Sequence, residues 1–370
     1  MTIHEFQLER YFARWEFETP YLLSASDCET LSIGELLEMA GEGLSTLAAL
    51  RLGYTESQGD PALRQSIAAF YTAITANDIL VTNAPEEAIF LTMMALLAPG
   101  DRVVVQTPCY QSLFELARFR GCAVHRWPMV EAETETGWHL DLDHLHDLVT
   151  ADTRLVVINF PHNPTGYLPT REEFATILDI VARYESRLLC DEMYRGLEYA
   201  ASRRLPSASD LYPGAVSLWG MSKTFGLPGL RIGWLASQDR NVMQALLQFK
   251  DYTTICSSAP GEYLARVALG QAAQIIRRNV DIIQTNLDHM RAFGQRRADL
   301  FDWRSPLAGP IAFVRLKGSP ASDFCRAAVE RAGVLLVPST LFDFGDQHIR
   351  WGMGRRSFAA GLTVLDAWLD

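Results

Sequence analysis

Through the middle of the chain, short β-branched runs alternate with stretches whose apolar positions recur every three or four residues. Asp101–Gln106 predicts a strand, 111–120 a helix, and Ala123–Trp127 the next strand. Arg154–Asn159 reads as a strand running into a Pro/Asn/Gly loop. Residues 170–186 read as a helix, with Thr170 as N-cap and Glu172 and Glu173 in the first turn. Arg187–Asp191 is another strand, with an acid at its carboxyl end, and Ala215–Trp219 and Leu230–Leu235 follow. This alternation predicts a mostly parallel sheet covered on both faces, with ligands at the carboxyl ends of its strands. The pattern then changes. A long helical stretch over 259–299 leads to strands at 311–316, 334–337 and 348–351 and a final helix, which predicts a smaller α+β unit.

Composition narrows the class. The 370 residues are 48% hydrophobic and 21% charged, ordinary for a soluble globular protein. A net charge of -11 argues against a general nucleic-acid binder. No apolar run is long enough to span a bilayer, and residues 1–14 lack an apolar signal core. The six cysteines are scattered without a Cys-x-x-Cys pair, so neither a zinc site nor a disulfide framework is indicated, and a cytoplasmic location is expected. His144 and His146, two apart on a predicted helix, face different directions and read as surface residues.

The candidate chemistry gathers at the predicted strand ends. Lys223 stands in a small-residue turn with Ser222, Gly226 and Gly229, and Arg231 follows eight positions later, where backbone and side chains can close around a phosphorylated ligand. Asn163 lies in Asn159-Phe-Pro-His-Asn-Pro-Thr-Gly166, which is also a turn. Asp191 ends a buried strand, where a carboxylate is costly unless paired, although an N-cap role is open to it. Tyr54 precedes a helix predicted near Asp60-Pro61 and reads equally as a core tyrosine. Tyr110, in Pro108-Cys-Tyr110, follows the strand at 101–106. Arg350 lies on the late strand, where a surface arginine on an edge strand is the plain alternative.

In order and spacing these motifs resemble the pyridoxal 5'-phosphate (PLP) enzymes of the aspartate aminotransferase superfamily, fold type I, over nearly the whole chain. The resemblance implies a three-layer α/β large domain over 45–255, a smaller α+β domain from 1–44 and 256–370, and a homodimer. It implies that Lys223 forms a Schiff base with PLP and that Arg231 and Ser222 hold the phosphate. Asp191 would meet the pyridine nitrogen. Asn163 and Tyr194 would bond the phenolic oxygen, and Tyr110 would stack on the ring. Tyr54 would reach the phosphate of the neighbouring subunit, and Arg350 would bind the substrate α-carboxylate. The activity implied is transfer of an amino group between an α-amino acid and a 2-oxo acid, with no metal.

Three departures stand out. Ala84-Pro85-Glu86-Glu87-Ala88 replaces a small, hydroxyl- or amide-bearing turn, so Pro85 removes a phosphate donor. Glu86 must turn away from the phosphate or meet a cation of the substrate. Gly220 stands where a serine is common, and Pro338-Ser339 replaces a Pro-Gly turn. An overlapping similarity to synthases of cyclised arginine derivatives, in Arg10-Tyr11-Phe12 and Phe160–Pro164, keeps a lyase or cyclase open. A ligand sensor would need a DNA-binding domain ahead of this fold. A nucleotide-binding α/β protein would need a Gly-rich loop after its first strand.

Overall fold

The structure, a computed structural model, describes residues 2–370. Its main sheet has eight strands. They are β1 (Ile79–Thr82), β2 (Arg102–Thr107), β3 (Ala123–Glu131), β4 (Trp138–Leu140), β5 (Thr153–Asn159), β6 (Arg187–Asp191), β7 (Ala215–Gly220) and β8 (Gly233–Ala236). Their order across the sheet is β1-β8-β7-β6-β5-β2-β3-β4. The inner run from β7 through β6, β5 and β2 to β3 is parallel. The pairs β1·β8, β7·β8 and β3·β4 are antiparallel. Central strands such as Val103-Val-Val105 and Leu155–Ile158 are buried on both faces, as unbroken apolar runs require.

One edge of this sheet collects the strand ends that matter. Asn159 pairs with Asp191, Gly220 with Gly233, and Thr82 with Gly233. Local capping delivers the chain to that edge. Thr170 and Glu173 form a reciprocal capping box at the helix Arg171–Arg183, and Asp60 caps the helix Pro61–Ala68.

A second sheet holds β9 (Phe301–Asp302), β10 (Ile311–Leu316), β11 (Val337–Pro338) and β12 (His348–Gly352), in the order β9-β10-β12-β11. The predicted strand 334–337 is divided. Val334–Leu335 pairs instead with Tyr21–Leu22, and only Val337 enters the second sheet. The predicted 259–299 helix is two helices, Ala259–Gly270 and Ala272–Arg296, which meet at Gln271. The strand expected from Leu230 begins at Gly233, because Pro228–Leu230 is a 3-10 turn and Arg231 is left-handed at φ 52°. Gly34 lies inside the helix Ile33–Met39, capped by Ser32 and Glu35. The helix Gln7–Trp15 lies against the strand-end edge, with Tyr11 Oη donating to the Leu336 carbonyl (2.8 Å). No helix is long and apolar enough to cross a membrane, and no group of residues suited to a metal ion occurs among the described residues.

Candidate active site

The strand-end edge places Asp191 and Lys223 close enough that each shifts the ionisation of the other. Asp191 is 7% exposed and accepts one backbone bond, from the Met193 N–H (3.0 Å). Burial pushes its carboxyl up to about 7; the Met193 bond and the Lys223 charge oppose this. Lys223 donates to Ser26 Oγ (2.8 Å). Burial lowers its ammonium below the ordinary lysine range. Lowering in that direction favours the free amine, the form that captures a carbonyl and shuttles a proton.

Asn159 ties two of the predicted residues together. Its side-chain amide donates to the Asp191 carbonyl (2.8 Å), its side-chain oxygen accepts from the Asn163 N–H (2.6 Å), and its own N–H donates to Gln106 Oε1 (2.9 Å). Asn163 is therefore set by the adjacent strand rather than by its turn alone. Tyr194 is 2% exposed, and its hydroxyl has no partner in the protein. A buried hydroxyl in this state calls for an acceptor.

Arg350 sits on β12, between β10 and β11, so the edge-strand alternative is excluded. It is 1% exposed. Its guanidinium donates to the Ser24 carbonyl (3.0 Å) and Asn163 Oδ1 (3.3 Å), lies over the rings of Phe342 and Phe12, and leaves Nε without a partner. Ser339 stabilises this strand from the substituted Pro-Ser turn, donating to the Gly345 carbonyl and accepting from the His348 N–H (both 3.1 Å).

The departures at Pro85 and Gly220 are one packing feature. A side chain built on Gly220 would lie 2.9 Å from Gly233 Cα and 3.0 Å from Pro85 Cγ. The Gly233 and Ile232 backbone and the Pro85 ring all crowd that position, so a serine at 220 would have to displace them. Ala84 takes φ 82° to start the helix Pro85–Leu96, a conformation that strains any residue other than glycine. Glu86 does not turn to solvent. It is half-buried, Ser112 Oγ lies 3.4 Å from it, and desolvation pushes it up to about 7.

Two predicted residues stand outside this group. Tyr54 is 92% exposed on a loop, which overturns the core-tyrosine alternative. The exposed Arg231 side chain bonds back to the Pro228 carbonyl (3.0 Å). Ser222 is buried beside Lys223, and Tyr110 is half-buried, its hydroxyl donating to Glu9 Oε1 (2.8 Å). Ser26, Asn159 and Glu9 were not singled out from the sequence. Only Asn159, ending a strand beside Asp191 in register, carried a signal there.

These groups fit PLP. An uncompensated carboxyl suits a cationic ring nitrogen, the unpartnered Tyr194 hydroxyl suits a phenolic oxygen, and the Lys223 amine suits an aldehyde. The family description "aminotransferase class I and II" matches residues 22–364. The chain is 32% identical over 363 residues to capreomycidine synthase of Streptomyces vinaceus, covering 97% of this chain and 92% of that protein. It superposes on a PLP-dependent aminotransferase from Streptococcus suis with a TM-score of 0.93 at 29% identity, covering 100% of this chain and 98% of the other. It superposes on the PLP-dependent cyclase OrfR with a TM-score of 0.92 at 30% identity and the same coverage. With the PLP-transferase architecture, a fitting site and a match over nearly its whole length, the chain belongs to the aminotransferase class I and II family.

Proposed function

We propose that the chain is a PLP-dependent aminotransferase that moves an amino group between an α-amino acid and a 2-oxo acid. The observation that carries this is the convergence of half-buried Lys223 and buried Asp191 at one strand edge, each shifted by the other. When bound, PLP supplies the electron sink that lets the Cα–H bond ionise.

The chain's own residues do the rest. Asp191 would hold the ring nitrogen protonated, and Asn163 and Tyr194 would donate to the phenolic oxygen. Tyr110 would present its ring to the pyridine face, while Ser222 and Arg231 would hold the phosphate, Arg231 by leaving the Pro228 carbonyl. Pro85 and Glu86 shape that end without the usual donors. Arg350 binds the α-carboxylate and so fixes which Cα bond faces Lys223. The Lys223 amine would be the group that accepts the proton from Cα and returns it. The exposed Tyr54 supports a homodimer in which it reaches the partner's site, with the large domain over 45–255 and a small domain from 1–44 and 256–370. A cytoplasmic setting is part of the same reading.

A second reading, a cyclase or lyase on the same scaffold, is favoured by the similarity to capreomycidine synthase and to the cyclase OrfR. The visible absorption of the PLP-loaded protein separates the two. Loss of the band on adding an amino acid and its return with a 2-oxo acid supports transamination. A shifted band without that return supports the second reading. Absence of any band with added PLP overturns both.

A further inference from the structure

Residues 23–29 lie against the end of β12 and the residues that follow it. The Gly352 N–H donates to the Leu23 carbonyl (2.7 Å), the Glu29 N–H donates to the Gly354 carbonyl (2.8 Å), and Arg355 pairs with Asp27 at 2.7 Å. Two glycines permit this close approach. A side chain at Gly352 would come within 1.9 Å of the Ala25 carbonyl oxygen, and one at Gly354 within 2.1 Å of the Asp27 carbonyl oxygen. Backbone bonds, an ion pair and close packing together fix the segment relative to the second sheet.

This one segment meets two groups of the site. The Ser24 carbonyl accepts from the Arg350 guanidinium (3.0 Å), and two residues on, Ser26 Oγ accepts from Lys223 Nζ (2.8 Å). Lys223 follows β7 of the main sheet, so the Ser26 bond joins the two sheets across the site. Among the described residues it is the one hydrogen bond that the Lys223 side chain makes, and no carboxylate forms an ion pair with it. Beyond burial, the charges of Asp27, Arg350, Glu9 and Asp191 act on Lys223, and Lys223 acts on Glu16 and Cys28, all without a bond.

A free amine turns about its Cε–Nζ bond among staggered settings, and its lone pair points a different way in each. Anchoring one N–H removes most of that freedom before reaction. The same bond becomes charge-assisted once the amine has taken up a proton. On the aminotransferase reading, which this inference rests on, the Cα proton passes to the Nζ lone pair and its bonding electrons remain with the substrate and cofactor. We propose that Ser26 is a positioning residue for this transfer. Its hydroxyl holds the Lys223 amine, aims the lone pair and stabilises the ammonium that results. Ser24 sets Arg350 from the same segment, so one short piece of chain fixes the spacing between the carboxylate site and the base.

The test mixes cofactor-free protein with PLP over a range of pH and follows the visible band in time. Only the free amine captures the aldehyde, so the rate profile reports the Lys223 midpoint. Ser26→Ala should move that midpoint down by about one pH unit, because the ammonium loses its acceptor. Ser26→Gly removes the same hydroxyl and should match it; Ser26→Thr keeps a hydroxyl and should restore the parent midpoint. The loaded proteins are then given the protein amino acids singly, and the one that most changes the parent's band is used again with deuterium at Cα. Ser26→Ala and Ser26→Gly should slow this step about tenfold or more, enlarge the isotope effect and leave half-saturation little changed. An unchanged midpoint or an unchanged isotope effect in both variants overturns the inference and leaves the aminotransferase reading standing. A parent protein that forms no band with PLP, or a band that no amino acid perturbs, overturns that reading and the inference with it.

Discussion

Asp191 and Glu192 are adjacent at the end of β6, both are buried, and their surroundings are opposite. Glu192 faces the region behind the sheet edge. One of its oxygens accepts from Ser207, Ser217 and the Ala208 N–H at 2.7–2.9 Å, and Arg195 stands 3.7 Å away over the rings of Tyr71 and Trp219. Asp191 faces the site with a single backbone donor. Burial raises both carboxyls, but Glu192 has three hydrogen-bond donors on one oxygen, whereas Asp191 has one backbone donor and the Lys223 charge. The less compensated member of the pair is the one placed for an external cation. Burial alone does not separate a structural acid from a chemical one; the count of donors does.

Removing the functional side should cost chemistry and little stability. Lys223→Ala should abolish turnover and the visible band of bound PLP, measured by absorption and steady-state assay; full activity would break the mechanism. Asp191→Asn should lower the rate by on the order of 10²–10³ while melting near or above the parent temperature, because an uncompensated buried charge disappears. Glu192→Gln should invert this, losing on the order of 1–3 kcal/mol of stability while each folded molecule retains its activity. Denaturant titration beside the assay checks both. If Glu192→Gln lost activity at unchanged stability, the contrast between the two faces would be wrong.

The pH dependence sharpens the same contrast. In protein stripped of cofactor, Asp191 has a folded pKa of about 7 against an ordinary 3.8. Between those values the folded state holds the extra proton, so stability falls as pH rises from about 4 to about 7. Every tenfold difference in proton affinity between folded and unfolded chain is worth about 1.4 kcal/mol. Asp191→Asn should flatten that slope, measured by melting temperature across pH, and PLP should restore stability above pH 7. The smallest effect is expected for Tyr110→Phe, which removes the bond to Glu9 Oε1 and should cost about 0.5–1.5 kcal/mol of stability, read by denaturant titration.

The parts of this molecule that were legible in the sequence share a property: they are decided locally. Strands Arg187–Asp191 and Ile311–Leu316 have the predicted bounds, since an unbroken apolar run has few alternatives. The Thr170 and Asp60 caps likewise act within three residues. Boundaries set by distant partners were not legible. Val334–Val337 is one apolar run, but Tyr21–Leu22 claims its first half and Arg350's strand its end. The coupling of Gly220 to Pro85 joins two points far apart in the chain and reads in sequence as two unrelated departures.

By itself, the order of residues determined the parallel α/β architecture, the lysine, and the acid at the strand end, because periodicity and strand-end chemistry are properties of short segments. Only the tertiary structure decided that Arg350 is central and buried, that Asp191 has one donor while Glu192 has several, and that Glu9 bonds Tyr110. Those are statements about what stands opposite a side chain. Residues far apart in the chain reach those positions through packing, and no local pattern encodes the encounter.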